Sequence, residues 1–330
     1  MRDTVFISNT RPGIARAAFL NGQWQVEHLL PGEDVRCLTV DPHNPDRLFA
    51  GTQGAGVLRS DDAGRTWQRV GLDGQIIKSM AVSPTTPGWV VAGAKPPLVF
   101  ASRDGGDTWQ ELEGFRDIPG RDEWWSPAEP PGTAYVNGID ISPVDPDLIV
   151  AGIEYGAVIR SEDGGRTWSA PLPNALADCH SLTFHRTRGE YVYEGGSGGG
   201  AAISRDAGRT WEIPREGLDR SYGWAVGADP EDPETWYVSV SPSPRQAHSD
   251  RGIAEAFIFR RRAGEPWQKL GGGLPQPLDF MPYALLTPEP GEVIAGLRNG
   301  DLWRTTDYGE TWQQIPVNLG RIDHALVMLR

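Results

Sequence analysis

Apolar residues in this chain come in short runs, each broken by a proline turn or a glycine, and the same order of runs recurs. One run enters a proline turn, as in "VRCLTVDPHNPD" (35–46), "IKSMAVSPTTPG" (77–88), "VNGIDISPVDPD" (136–147) and "WAVGADPEDPE" (224–234). The next ends in glycine: "RLFAG", "WVVAG", "LIVAG" and "EVIAG". Runs this short, edged by Gly, Pro and Asp, predict strands joined by tight turns. A third strand leads into an acidic octapeptide, and a fourth leaves from its last residue.

That octapeptide is written five times: "SDDAGRTW" (60–67), "SRDGGDTW" (102–109), "SEDGGRTW" (161–168), "SRDAGRTW" (204–211) and "TTDYGETW" (305–312). Two eroded copies, "RRRAGEPW" ending at Trp267 and "FLNGQW" ending at Trp24, complete a series of seven. The base period is about 43 residues, and four short strands at that period describe the blade of a propeller. The opening segments "TVFISNT", "IARAAFL" and "QWQVEHLL" supply strands two to four of a blade, and the closing "RIDHALVMLR" supplies a first strand. The expectation is one all-β domain over 1–330, a seven-bladed β-propeller whose last strand joins the N-terminal blade.

Ser/Thr-x-Asp-x-Gly-x-Thr-Trp resembles the BNR or Asp-box repeat of sialidase-like propellers, and the repeats cover almost the whole chain. The resemblance implies that each box is the turn between strands three and four. The chemistry agrees: Asp62, Asp104, Asp163, Asp206 and Asp307 can accept backbone N–H groups within the turn, the glycine tolerates a left-handed backbone, and the tryptophan wedges between blades. A calcium loop needs carboxylates at alternate positions, and only one acid repeats. The boxes are therefore expected to be joints, with any site elsewhere.

Composition supports this and closes off other classes. The 41 Gly, 28 Pro and 13 Trp suit turns and large core aromatics. A net charge of −13 argues against nucleic acid, since the only basic run is "FRRRAG" (259–264). No segment approaches the roughly 18–20 apolar residues of a membrane helix, and the start lacks signal-peptide features. The expectation is a soluble, cytoplasmic protein. Cys37 and Cys179 form no disulfide or zinc pattern and fit as small core residues. "GSGGGA" (196–201) matches a dinucleotide fingerprint but leads into a strand, not the helix that pyrophosphate needs.

Aligning the first strands gives a column near one mouth of the central channel: Arg36, Lys78, Asn137, His180, Trp224 and His324, with Tyr283 or its neighbour in the sixth repeat, where two registers fit. Loops after the second strands add Gln53, Lys95, Glu154, Tyr155, Ser197 and Arg298. Two insertions, 113–135 and 241–256, fall on the same face, and Trp124 and Trp125 of the first are expected to form a partial lid. Together the column and the loops make a mixed ring, with Arg36, Lys78, Lys95 and Arg298 as cations in an acidic protein. His180 and His324 are candidate acid–base groups with Glu154 as partner. These three form no sequence-local metal motif, and no cofactor is expected.

The sialidase resemblance further implies three carboxylate-binding arginines, a tyrosine nucleophile paired with glutamate, and an acid aspartate. "TRPGI" (10–14) departs from that family's early Arg-Ile-Pro signature, so its activity is not carried over. Xyloglucan-cleaving relatives set two propellers about a cleft, and this chain has repeats for one. Two readings remain: a pocket for a small polar or anionic ligand or saccharide, acting as hydrolase or lyase if catalytic, or a scaffold presenting the insertion face to a protein.

Overall fold

A computed structural model describes residues 4–128 and 132–330; 129–131, within the first insertion, lie outside the described residues. Among the described residues the structure is all-β apart from 3-10 turns at Glu113–Asp117 and Arg121–Glu123 and one helical turn at Pro244–Ala247. No helix among the described residues is long and apolar enough to cross a membrane.

Among the described residues the strands form six antiparallel sheets, headed by Val35–Asp41, Ile76–Val82, Val136–Ile141, Pro282–Leu286, Leu326–Leu329 and, in one seven-stranded sheet, by Asp178–Phe184 and Tyr222–Ala228 in turn. The two parts of the seven-stranded sheet are joined by a single bridge, Ser197 to Tyr222. Leu326–Leu329 pairs antiparallel with Val5–Asn9. Each head strand touches the next in chain order, and Leu326–Leu329 touches Val35–Asp41.

Apolar clusters form between successive sheets. The cluster around Ile77, Val90, Ala92 and Phe100 of one sheet takes in Phe49 and Val57 of the sheet before it. The glycine that ends the second strand has a packing role that sequence pattern alone did not show. A Cβ on Gly93 would lie 2.5 Å from Val136 of the next sheet's head strand, and one on Gly51 would lie 2.7 Å from Ile77. The recurring Ala-Gly therefore marks where successive sheets close on one another near the axis, the narrowest part of the assembly.

The octapeptides are corners with one bonding pattern. In the first, Asp62 accepts the Thr66 N–H at 2.8 Å and its hydroxyl at 2.7 Å. Ser60 donates to Asp62 at 2.8 Å and accepts the Gly64 N–H at 2.9 Å, while the Trp67 indole donates to the Gly64 carbonyl at 3.1 Å. The same bonds recur around Asp104, Asp163, Asp206 and Asp307. At Asp104 the Thr108 hydroxyl leads in holding the carboxyl at about 2, below its ordinary value. Both middle residues of the corner are left-handed, with φ 58° at Ala63 and 78° at Gly64.

Candidate functional site

Six of the head strands carry a β-bulge at the same place. Pairing jumps from Val35 to Cys37, Ile77 to Ser79, Val136 to Gly138, Cys179 to Ser181, Gly223 to Val226 and Pro282 to Ala284. The residues passed over are Arg36, Lys78, Asn137, His180, Trp224 with Ala225, and Tyr283. A bulged residue has no cross-strand partner and its side chain is re-aimed. All six columns' predicted residues, with His324 from just before the seventh strand, line one cavity of about 350 Å³.

Its walls differ around the ring. Arg36 and Lys78 stand on neighbouring strands; Arg36 donates to Asp34 at 2.9 Å and the Lys78 ammonium lies 4.3 Å from the centre of the Tyr135 ring. The far wall is aromatic. Trp224 stacks on His180 at 4.7 Å and on His324 at 5.3 Å, with Tyr283 at 5.0 Å. Among the described residues that line the cavity there is no Asp or Glu.

The three histidines here are in different states, each for a stated cause. The His180 Nδ1 faces the Gly223 carbonyl at 2.7 Å and its Nε2 faces Asp178 at 3.2 Å. A carbonyl only accepts, so Nδ1 carries a proton, and the carboxylate favours a second on Nε2. Burial opposes the charge, but Asp178 outweighs it and His180 is raised above its ordinary value. His324 is driven the other way, to about 3, by burial and the nearby Lys78 and Arg36 cations against the pull of Asp323. His248, at the end of the Pro244–Ala247 turn, sits between the Tyr222 and Tyr283 hydroxyls at 2.5 Å each. Burial, with the charges of His180 and Arg298, lowers it to about 4.

Five expected site residues stand behind this wall or away from it. Glu154 is buried against Ser126 at 3.1 Å, and burial raises its carboxyl above the ordinary range even as the Tyr135 hydroxyl bonds it. Lys95 lies 5.5 Å from the back of the Tyr135 ring. Arg298 donates to Asp250 at 2.8 Å and to Tyr283 at 3.0 Å. The expected lid divides: Trp124 packs on Phe115 in the core, while Trp125 is 51% exposed and leans on Tyr155. Gln53, Tyr155 and Ser197 do not line the cavity either. Conversely Tyr135, Asp178 and His248 shape the site without having been expected; His248 lies inside the quoted insertion 241–256, and that was its only sequence signal.

Among the described residues no group of three or more His, Cys, Asp and Glu is placed to hold a metal ion. No protein-family model and no curated protein matches this sequence. Solved structures do. An ancestral GH74 enzyme aligns with a TM-score of 0.67 at 18% identity, over 86% of this chain and 39% of its own. The GH74 xyloglucanase of Xanthomonas campestris gives 0.62 at 19%, over 86% and 45%. YCF48 bound to D1 peptide gives 0.62 at 18%, over 94% and 97%. The chain thus spans less than half the length of those two GH74 enzymes. At such identities the likeness establishes the fold alone: a β-propeller.

Proposed function

We propose that this chain is a seven-bladed, Asp-box propeller closed by its C-terminal strand, and that it binds a small anionic ligand in the bulge-lined cavity. Support for the closed ring comes from the pairing of Leu326–Leu329 with Val5–Asn9 and its contact with Val35–Asp41. The observation that carries the binding reading is the cavity's charge. In a protein of net charge −13, the described residues lining it include the basic groups of Arg36, Lys78 and His180, the last raised by Asp178, and none of them is an Asp or Glu.

Binding fits this geometry better than acid–base chemistry. His180 has both nitrogens engaged, His324 is a weak base at about 3, and Glu154 is walled off by Tyr135 and Ser126. The hydrolase or lyase reading therefore rests on His324 alone. A thermal-shift panel of acetate, phosphate, glucuronate and glucose tests the proposal. A ligand at 100 times its dissociation constant adds about 2.7 kcal/mol. Stabilisation by the anions, lost in Arg36→Ala and Lys78→Ala, is expected; a shift that persists in both variants places the site elsewhere.

A second reading has its own observation. The exposed Trp125–Tyr155 pair on the insertion face suits a protein or peptide contact, and YCF48 is solved with a peptide. Capture of a defined partner that fails with Trp125→Ala would favour it.

A further inference from the structure

The channel beneath the bulge layer changes character within two residues. Strand side chains recur on one face at every second position, so the residues two beyond the bulges also point to the axis. They are Leu38, Met80, Ile139, Leu182, Leu285 and Leu326, all lining the floor of the same cavity. Two further on come Val40, Phe184 and Met328, in a second cavity of about 490 Å³ that adjoins the first at Val226, Leu285 and Leu286. The cationic mouth therefore stands on an aliphatic layer, below which the second cavity turns polar again at Asp140, Thr183, His185 and Arg186.

The polar atoms nearest this floor are already engaged across the sheets. Ser79 donates to the Val136 carbonyl at 2.7 Å, Asn137 to that of Cys179 at 3.0 Å, and Ser181 to that of Trp224 at 2.5 Å. A saccharide seated here would turn hydroxyls toward leucine, isoleucine and methionine, and burying unpaired hydroxyls is unfavourable. A slim aliphatic tail meets no such penalty and gains from leaving water.

We propose that the cavity takes an amphiphilic monoanion: a carboxylate whose unbranched aliphatic tail points down the channel. The head lies at Arg36 and Lys78, and the tail lies among Leu38, Met80, Ile139, Leu182, Leu285 and Leu326. This rests on the anion-site reading above and narrows it to a class of ligand. The pocket's size falls in the range of small-molecule sites, and its apolar lining with a few polar anchors is their usual composition.

The test is a calorimetric series of acetate, butyrate, hexanoate and octanoate, all below micelle-forming concentration, with 1-octanol, inorganic phosphate and glucuronate alongside. The expected result is a dissociation constant that tightens about fourfold per added methylene, the equivalent of about 0.8 kcal/mol. Octanol should bind more weakly than octanoate, and Arg36→Ala and Lys78→Ala should each weaken octanoate by about tenfold, the equivalent of about 1.4 kcal/mol. Met80→Gln, of similar size, should flatten the chain-length slope; if it does not fold, the wild-type series decides alone. Phosphate or glucuronate binding through Arg36 and Lys78 with no chain-length slope overturns the amphiphile and leaves the anion site standing. Octanol equal to octanoate, with no effect of the two cations, overturns it as well. Failure of every anion to bind ends both readings.

Discussion

The octapeptide corners at the rim and the bulges at the axis use repetition in opposite ways. At the rim the side chains repeat: an Asp accepts a Thr N–H and hydroxyl five times over, at 2.6 to 2.9 Å. At the axis the backbone repeats, one bulge in each of six head strands, while the side chains it aims are Arg, Lys, Asn, His, Trp and Tyr. A joint needs the same bonds in every blade, so its residues are held constant. A site needs the same aim with different chemistry, so only the backbone device is held constant. In this fold the most conspicuous motif is structural, and the irregular column lines the cavity.

That contrast can be broken at either end. The largest effect is expected where the sheets are wedged apart: Gly93→Val should destabilise by about 3 kcal/mol or more, because a Cβ there would lie 2.5 Å from both Val136 and the Ser79 hydroxyl. Urea unfolding measures it, and a loss under about 1 kcal/mol would show that the sheets can yield.

Acid separates the two regions next. His248 at about 4 and His324 at about 3 are depressed below the ordinary 6.5. Their contribution is complete above 6.5 and is lost as pH falls from there toward those values, by of order 2 kcal/mol. The corners titrate lower. Burial works against the Asp62 charge, but the Thr66 and Ser60 bonds hold it at about 2, so its share is lost only as pH falls from 3.8. Unfolding midpoints should decline in two stages, and His324→Gln should soften the first.

Asp206→Ala comes third, at about 2 kcal/mol for a charged acceptor removed from its donors, with ligand binding unchanged. Arg36→Ala and Lys78→Ala should do the reverse, weakening anion binding about tenfold, the equivalent of about 1.4 kcal/mol. Each should move the unfolding midpoint by less than Asp206→Ala. The smallest effect is on the alkaline side. His180 is raised, chiefly by Asp178 against its own burial, so its contribution is complete below 6.5 and is lost as pH rises through its folded value. His180→Gln should flatten that limb, measured by the same melts.

The strands, the corner chemistry and the seven-residue column were legible in the sequence because each follows from local pattern. Arg36, Lys78, Asn137, His180, Trp224 and Tyr283 sit at equivalent places in the repeat, each at a bulge, and His324 just before the last strand joins them in lining the cavity. What was not legible depends on pairs far apart in the chain. Lys95, Glu154 and Arg298 have loop positions that suit the cavity, yet Tyr135, Ser126 and Asp250 turn them aside. Trp124 and Trp125 are adjacent and go opposite ways, because Phe115 offers the first a core to enter. His248 reaches the site through Tyr222 and Tyr283, 26 and 35 residues away in sequence.

One comparison tests the central claim most directly: calorimetric titration and urea unfolding, side by side, on wild type, Arg36→Ala, Lys78→Ala and Asp206→Ala. The titrant is whichever of acetate, phosphate and glucuronate most stabilises the wild type. The account predicts a double dissociation, with binding lost and stability kept in the two cation variants, and stability lost and binding kept in Asp206→Ala. Binding that falls in step with stability across all three variants, or that survives in both cation variants, would contradict it.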